Sequence, residues 1–170
     1  MKFIYIFAAL FLVGCSTNTI ELKDYGAAPK SNLAVSDNRA DKSYVVKMLS
    51  SDGQPTKKIA TNINLDEWFS KALSSKLDSI GVDTEKNFKY IAVFIDKAEL
   101  SFSKFRTKNL ITDGSVRIMI KKKDRIIKRK ISHSKRECSS FSDLDTLKAN
   151  VDELLLYLVD ESAKEIKESL

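Results

Sequence analysis

Residues 88–102 read FKYIAVFIDKAELSF, and this stretch decides the fold that the sequence predicts. It is rich in β-branched and aromatic residues, and its first half is too apolar to lie open to water. Such a run predicts a long, largely buried strand. Other elements of the chain must therefore cover it.

The segment before this strand predicts an amphipathic helix. Asn64 is placed to cap the helix, Glu67 stands three residues later, and Gly81 supplies the stop. Apolar residues recur between them at helical spacing, namely Leu65, Trp68, Phe69, Ala72, Leu73, Leu77 and Ile80. The helix therefore has one apolar face, which is wide enough to pack on a sheet.

The segment after the strand predicts a β-hairpin. From residue 115 to 122 aliphatic residues alternate with longer side chains, Val116, Ile118 and Ile120 against Arg117, Met119 and Lys121. Lys123 and Asp124 then turn the chain back into residues 125–134. We expect the aliphatic side to face the helices and the basic side to face water.

A second helix is predicted near the end of the chain. Ser142 is placed to cap it, Asp145 lies in its first turn, and its apolar stripe consists of Leu144, Leu147, Val151, Leu154, Leu155, Leu158, Val159 and Ile166. Before the first helix, residues 33–35 and 43–49 and, with a weaker pattern, 57–61 are expected to form short strands. The predicted fold class is α+β, a mainly antiparallel sheet with two helices packed on one face.

The first fifteen residues have the layout of an export signal. Met1 and Lys2 form a charged start, residues 3–13 are eleven consecutive apolar residues, and Gly14 is the small residue before Cys15. Eleven residues are too few to span a bilayer, which takes about 20.

Leu12-Val13-Gly14-Cys15 resembles the bacterial lipobox. The resemblance implies that the Cys15 thiol is diacylated, that residues 1–14 are removed, and that N-terminal acyl chains hold the protein on a membrane, because two or three chains anchor far better than one. Ser16 resembles the outer-membrane default among such proteins. The alternatives are an ordinary cleaved signal, or an N-terminal helix with an incidental buried cysteine.

We expect the chain to be divided into three segments. Residues 1–14 are the signal peptide, residues 15–32 are the lipidated cysteine and a flexible tether, and residues 33–170 are a single domain. The tether is small and polar in composition, and a form docked on the domain surface is the alternative to a free one. Removing residues 1–14 takes Lys2 away, so the formal charge falls from +6 to +5.

Several of these features together resemble the YajG-like family of bacterial lipoproteins. They are the lipobox, the order of elements, the first strand running into Asp37-x-Arg39, and the helix that ends at Gly81 before the long strand. The resemblance covers residues 31–170. It implies an outer-membrane-associated protein that faces the periplasm, and it supplies no catalytic residues.

Positive charge is concentrated between residues 104 and 136, where thirteen basic residues stand against Asp113 and Asp124. Eight of the thirteen form the candidate anion-binding set, Arg117, Lys121, Lys122, Lys123, Arg125, Lys128, Arg129 and Lys130; the others are Lys104, Arg106, Lys108, Lys135 and Arg136. Such a cluster attracts anions before contact. In the envelope these are anionic lipids, lipid A phosphates or an acidic protein.

Two other interpretations of the cluster stay open. The lysines can belong to a solvated hairpin whose charges block edge-to-edge pairing. Alternatively, the C-terminal helix can neutralise them, since residues 143–170 carry eight acids against three lysines.

No catalytic or metal site and no cofactor is predicted. His133 and Cys138 lack the further ligands that a site needs, and export together with the absence of interleaved aromatic residues excludes nucleic acid as a partner. Five aromatic residues are expected in the core or, if an apolar groove lies between the helices and the sheet, along that groove: Trp68, Phe69, Phe88, Tyr90 and Phe94.

These features bear on three candidate functions. The leading hypothesis is a non-enzymatic, membrane-anchored envelope lipoprotein that acts as a binding or adaptor module for an envelope protein or an anionic envelope component. The second is an auxiliary lipoprotein of a lipid or lipopolysaccharide transport system, which an apolar groove on the order of several hundred Å³ would favour. The third, an envelope hydrolase, would need convergent titratable groups in a cleft.

Overall fold

The computed structural model describes residues 19–103, 109–138 and 143–170. The signal peptide, Cys15, Lys104, Arg106 and Lys108 lie outside these residues. The described elements are β1 (Thr19–Ile20), β2 (Leu33–Asp37), β3 (Val46–Leu49), β4 (Pro55–Thr61), α1 (Leu65–Ser79), α2 (Thr84–Asn87), β5 (Tyr90–Ser103), β6 (Asn109–Lys121), β7 (Ile126–Cys138) and α3 (Leu144–Glu168).

The seven described strands form one sheet around β5. On one side of β5, the hairpin of β6 and β7 follows in antiparallel register. On the other side, β2 and β3 both run parallel to β5, β2 along residues 91–95 and β3 along residues 100–103. β4 pairs with β3 in antiparallel register, and β1 runs parallel to β4. The α+β class is confirmed; the sheet is mixed, with its longest pairings antiparallel.

Strand alternation decides which face of the sheet is covered. Val116, Ile118 and Ile120 are buried under the helices, as the alternation predicts. Arg117 and Lys121, between them in the sequence, are exposed on the other face. Successive side chains of a strand point to opposite faces of the sheet, so β6 contributes to the core on one face and to the solvent-exposed surface on the other.

Helix α3 lies close to the sheet at Gly114. A Cβ atom added at this glycine would lie 2.7 Å from Leu154 Cδ1 and 2.9 Å from Leu158 Cδ1. Such distances are too short for carbon atoms, and core packing adjusts to added volume only at a cost. The glycine therefore lets two buried leucines of α3 rest directly on β6.

The helix ends agree with the sequence in place but not always in the capping group. Asn64 precedes α1, yet its side chain makes no capping hydrogen bond. Gly81 ends this helix with a φ of 73°, which favours glycine. Helix α3 is capped by Asp143, whose Oδ1 accepts a hydrogen bond from Thr146 N at 2.7 Å. The expected cap, Ser142, lies outside the described residues.

Residues 19–32 are docked on the domain, which is the second of the two forms expected for the tether. Ile20 and Leu22 are buried, and Leu22 N donates to Asn62 Oδ1 at 2.8 Å. Trp68 Nε1 donates to the Lys23 carbonyl at 2.9 Å. The domain therefore begins before residue 33, and a free tether is wrong for these residues.

A buried ion pair joins β2 to the loop that follows it. Asp37 and Arg39 are only 7% and 9% exposed. Arg39 Nε lies 2.9 Å from Asp37 Oδ1, and Arg39 Nη2 lies 2.8 Å from Asp37 Oδ2. This two-pronged geometry is the strongest form of a carboxylate–guanidinium contact.

The same guanidinium bridges the gap between β2 and β3 along β5. The loop between β2 and β3 leaves the edge of β5 after Asn38 N donates to the Ile95 carbonyl at 2.8 Å. It rejoins that edge where Leu100 N donates to the Val45 carbonyl, also at 2.8 Å. Arg39 Nη1 donates into this gap, to the carbonyls of Tyr44 and Ala98. Carbonyl groups that the ladder leaves unpaired thereby gain a partner.

Replacing Arg39 with methionine should lower the free energy of unfolding by about 3–5 kcal/mol, because Asp37 would be left as an unpaired buried charge. Urea unfolding followed by circular dichroism measures the change. Lys58→Met is the matched control, since its pair with Asp41 is exposed and should contribute at most about 1 kcal/mol. Equal losses in the two variants would contradict a structural role for the buried pair.

Candidate anion-binding face

The face of the sheet that points away from α1 and α3 is called the open face here. Its side chains come from alternate residues of three strands that the register places side by side. Phe94, Arg117 and Lys130 form one row across β5, β6 and β7, and Ala92, Met119 and Lys128 form the next.

One half of the open face is largely neutralised by contacts between strands. Arg117 Nε and Nη2 bind Asp96 at 2.6 and 2.7 Å, and Lys97 Nζ lies 2.8 Å from Asp113 Oδ2. Lys47 Nζ lies 2.6 Å from Glu99 Oε1. Each of these pairs sits at least partly in solvent, so each contributes little to stability, but together they neutralise most of the charge there; Arg136, which is exposed opposite Ile111, keeps its charge.

The pKa values of these carboxyl groups follow from the pairs. Hydrogen bonds from Arg117 hold the pKa of Asp96 below its ordinary value. Burial by itself would raise the pKa of Glu99, but hydrogen bonds from Lys47, Tyr44 and Ser101 lower it. Burial, and then the bond to Glu99, raise the pKa of Tyr44 to about 12. The carboxyl groups are therefore ionised at neutral pH.

The other end of the open face keeps its positive charge. Six basic residues of the hairpin have no carboxylate within 4.0 Å in the described part of the chain. One of them, Arg136, lies near the far end of β7, and the other five, at and near the turn, form what we call the basic tip: Lys121, Lys123, Arg125, Lys128 and Lys130. All five are exposed. The acid within this stretch is Asp124, at the turn. The tip thus presents an uncompensated positive charge to solvent.

The three remaining residues of the predicted anion-binding set have partners of their own. Arg117 is held by Asp96. Arg129 points to the helical side, where its Nε lies 3.0 Å from Glu165 Oε2 of α3. Lys122 Nζ donates to the Leu170 carbonyl.

Neutralisation by the C-terminal helix is therefore real but partial. It reaches Arg129, and it reaches Lys135 through Glu153 at 3.4 Å. It does not extend to the basic tip.

A shallow groove of about 380 Å³ crosses the open face beside the basic tip. It is lined by Phe94, Arg117, Ile118, Met119, Lys128, Arg129 and Lys130. The Arg117 guanidinium lies over the Phe94 ring at 5.3 Å from its centroid, within range of a cation–π contact. The groove therefore combines an apolar floor with a cationic rim.

The aromatic residues divide between the core and the open face. Trp68, Phe69 and Phe88 are buried at 2%, 0% and 4% exposure. Tyr90 is 40% exposed, and Phe94 is half-buried in the groove. The core expectation thus holds for three of the five. Phe94 lines a groove outside the core, on the far side of the sheet from the helices, and Tyr90 is exposed without lining that groove.

His133 and Cys138 are not brought together into a site. The His133 ring packs against the Tyr157 ring of α3 with centroids 4.5 Å apart. Cys138 is exposed as a free thiol at the end of β7. Among the described residues, no three His, Cys, Asp or Glu side chains are grouped to bind a metal ion. None of the described helices combines the length and the apolar character needed to cross a membrane.

Comparison with known proteins reveals similar folds. No family model matches the chain, and no curated protein matches it. A crystal structure described as that of an uncharacterized protein superposes with a TM-score of 0.51 at 15% identity, over 88% of this chain and 99% of that one. A Xanthomonas campestris protein described under the DUF330 family superposes with a TM-score of 0.54 at 10% identity, over 87% and 89%. At these identities the likeness is one of fold.

Replacing Arg117 with glutamine should raise the pKa of Asp96 towards its ordinary value of about 3.9. Because the folded-state pKa is depressed, the pair stabilises the fold above that value, and the contribution is lost as the pH falls through the depressed pKa. Carboxyl NMR signals followed against pH measure the shift. Lys97→Gln is the control, since it should raise the pKa of Asp113 and leave that of Asp96 unchanged. An unchanged pKa of Asp96 in the Arg117→Gln variant would contradict the pairing.

Proposed function

We propose that this protein is a membrane-anchored envelope lipoprotein that acts without catalysis, as a binding module whose basic tip engages an anionic envelope component. The observation that carries the proposal is the basic tip itself. Lys121, Lys128 and Lys130 stand on an uncovered sheet face with no carboxylate within 4.0 Å among the described residues, although Asp96 acts on Lys130 at longer range. Arg117 and Arg129 nearby are paired. Single exposed lysines occur elsewhere on the described surface; the tip differs because five basic residues are concentrated at one end of the hairpin.

The magnitude of the attraction favours such a role. A basic residue close to an anionic surface contributes about 1 kcal/mol, so five of them acting together can hold a domain in a defined orientation. Salt screens the attraction beyond about 8–10 Å. The tip therefore acts at contact range and gives a salt-sensitive interaction.

The state of the carboxyl groups on the open face supports a role of that face without catalysis. A general acid at neutral pH needs a raised pKa and a free position beside its substrate. Asp96, Glu99 and Asp113 instead have lowered pKa values, and each is held by a cation. On the open face these acids serve as counter-charges.

Membrane attachment rests on the sequence at Cys15. The lipobox resemblance and the resemblance to YajG-like lipoproteins support an outer-membrane anchor with the domain in the periplasm. The docked course of residues 19–32 adds a geometric consequence. Only three residues separate Cys15 from Thr19, so an anchored domain would begin within about 14 Å of the lipid attachment.

A second candidate function is that of an auxiliary lipoprotein in a lipid or lipopolysaccharide transport system. The groove on the open face favours it, because an apolar floor at Phe94 and Met119 beside a cationic rim suits an amphiphile with an anionic head. Its volume of about 380 Å³ lies at the lower end of ordinary ligand sites. The groove is open and shallow, so the surface-binding role is the better supported of the two.

Cys15→Ser should abolish membrane retention, because the serine hydroxyl cannot take the thioether-linked lipid. Cells labelled with radioactive fatty acid should incorporate label into the wild-type chain and none into the variant. Fractionation should move the variant out of the membrane fraction. Label that still enters the variant, or a wild-type chain without label, would disprove lipidation at this residue.

The double variant Lys128→Glu/Lys130→Glu should weaken contact with an anionic surface at least roughly tenfold, since each reversal replaces an attraction of about 1 kcal/mol with a repulsion. The full-length lipidated chain is anchored in neutral phosphatidylcholine vesicles. Energy transfer then measures its bridging to phosphatidylglycerol vesicles.

The matched control changes the net charge equally at two exposed lysines on the β3–β4 side of the sheet, away from the tip, Lys42→Glu/Lys57→Glu. It should bridge the vesicles as the wild type does. Equal loss in both double variants, or bridging that survives high salt, would contradict a role for the basic tip.

A further inference from the structure

Strand β7 is the longest described strand with an unpaired edge. It pairs with β6 on one side and ends the strand order of the sheet on the other. It runs for 13 residues, nine of which are exposed. A free edge of this length carries a row of backbone donors and acceptors that can pair with a further strand.

The register shows which residues point these groups outwards. Lys122 N donates to Arg125 O at 3.0 Å, so this pair faces across the hairpin. The next pair along the hairpin is Lys121 with Ile126. There the Lys121 carbonyl points away from β7 and accepts a hydrogen bond from Lys89 N, just before β5. Since antiparallel pairs alternate, the even-numbered residues of β7 direct N–H and C=O towards the free edge. Lys128, Lys130 and Ser132 are among them.

These even-numbered residues also place their side chains on the open face. Two of them, Lys128 and Lys130, belong to the basic tip, and Arg136 follows farther along the strand. An added strand would therefore set its own alternate side chains beside uncompensated cations. Acidic residues at those positions would be attracted, whereas the basic edge of a second copy would be repelled, because like charges directly opposite destabilise a pair.

The helical side of the edge is different in character. There Arg129 and Lys135 are already matched by Glu165 and Glu153 of α3. Tyr157 is 39% exposed beside the His133 ring. The intervening side chains of an added strand would meet an aromatic surface without net charge, so uncharged or apolar residues fit.

The row of backbone donors and acceptors favours a protein over a bilayer as the occupant, because only another strand can pair with both kinds of group. β1 pairs with the end of β4, β4 pairs with β3, and β3 pairs with β5 from Leu100 onwards, so β1 lies near the level of Leu100. Lys121 of the tip instead pairs with Tyr90, at the start of β5. Ten residues of β5 lie between those levels, about 33 Å along the sheet. The anchor side of the sheet and the tip thus lie towards opposite ends of β5, so the lipid anchor by itself does not bring the tip to the bilayer.

We infer that the free edge of β7 binds an extended segment of a partner protein by strand addition, with acidic residues at alternate positions over Lys128 and Lys130. The inference rests on the proposed function, whose basic tip supplies the selectivity. Backbone pairing gives affinity in this mode of recognition, and the alternate side chains give specificity. The same lysines keep copies of this chain from joining edge to edge.

The test measures binding of labelled ten-residue peptides to the full-length chain in neutral detergent by fluorescence anisotropy. The first peptide alternates glutamate with valine and threonine. The second has the same composition with its glutamates in one block. The third is the first peptide with alternate backbone nitrogens methylated, which removes its donors to β7 and leaves its charge unchanged. The alternating peptide should bind, and the other two should bind at least roughly tenfold more weakly.

The matched variants act on the backbone and on the charge separately. Ser132→Pro removes one outward N–H of the exposed edge, where proline is tolerated, and should weaken the alternating peptide at least roughly tenfold; Ser132→Ala should leave it unchanged. Lys128→Glu/Lys130→Glu should weaken it comparably. Near-ultraviolet circular dichroism checks that each variant keeps its fold, and the methylated peptide tests the edge with the wild-type chain.

Vesicle bridging by Ser132→Pro separates this inference from the proposed function. The variant keeps every charge, so it should bridge anionic vesicles as the wild type does. Binding of the blocked or methylated peptide equal to that of the alternating one would overturn strand addition while leaving the basic tip as a surface for anions. Absence of peptide binding together with intact bridging would also overturn it, in favour of a lipid surface as the partner.

Discussion

The buried pair between Asp37 and Arg39 is the contact on which the arrangement of the sheet depends. It ties the end of β2 to a loop that must leave the edge of β5 and rejoin it as β3. A buried carbonyl without a partner costs free energy, and the guanidinium supplies a partner where two short parallel strands share one edge of a long strand. With the pair in place, β5 is paired along most of its length on one edge and can carry the β6–β7 hairpin along the other.

The hairpin serves two purposes because its side chains alternate. Val116, Ile118 and Ile120 provide the floor on which α3 packs, and Gly114 lets that helix approach closely. The residues between them face solvent, where they are free of the packing constraints of the core. The strand can therefore carry a row of cations without loss of stability, provided that water solvates them.

Charge pairing then divides the open face. Where β5 and β6 carry Asp96, Glu99 and Asp113, most cations nearby have a counter-charge. Towards the hairpin turn the acids end and the cations continue, so a uniform basic segment of sequence becomes a local basic tip. This local excess, rather than the net charge of the chain, distinguishes the surface. The DUF330 protein and the other solved structure share the fold.

The sequence by itself determined most of the buried and exposed positions of α1, β6 and α3, with exceptions such as Leu144, which belongs to the predicted stripe of α3 and is exposed. Helical spacing identified the apolar face of α1 and the stripe of α3, and alternation identified the covered side of β6, because these patterns depend only on the local period of the backbone. The parallel course of β2 and β3 along β5, the close approach at Gly114, the docking of residues 19–32 and the division of the basic residues into paired and free were decided by the tertiary structure. Each of these depends on groups far apart in the chain, such as Arg129 with Glu165 or Arg39 with Ala98. A local sequence pattern cannot predict such pairs, because their interaction energy arises only after folding has brought both partners together.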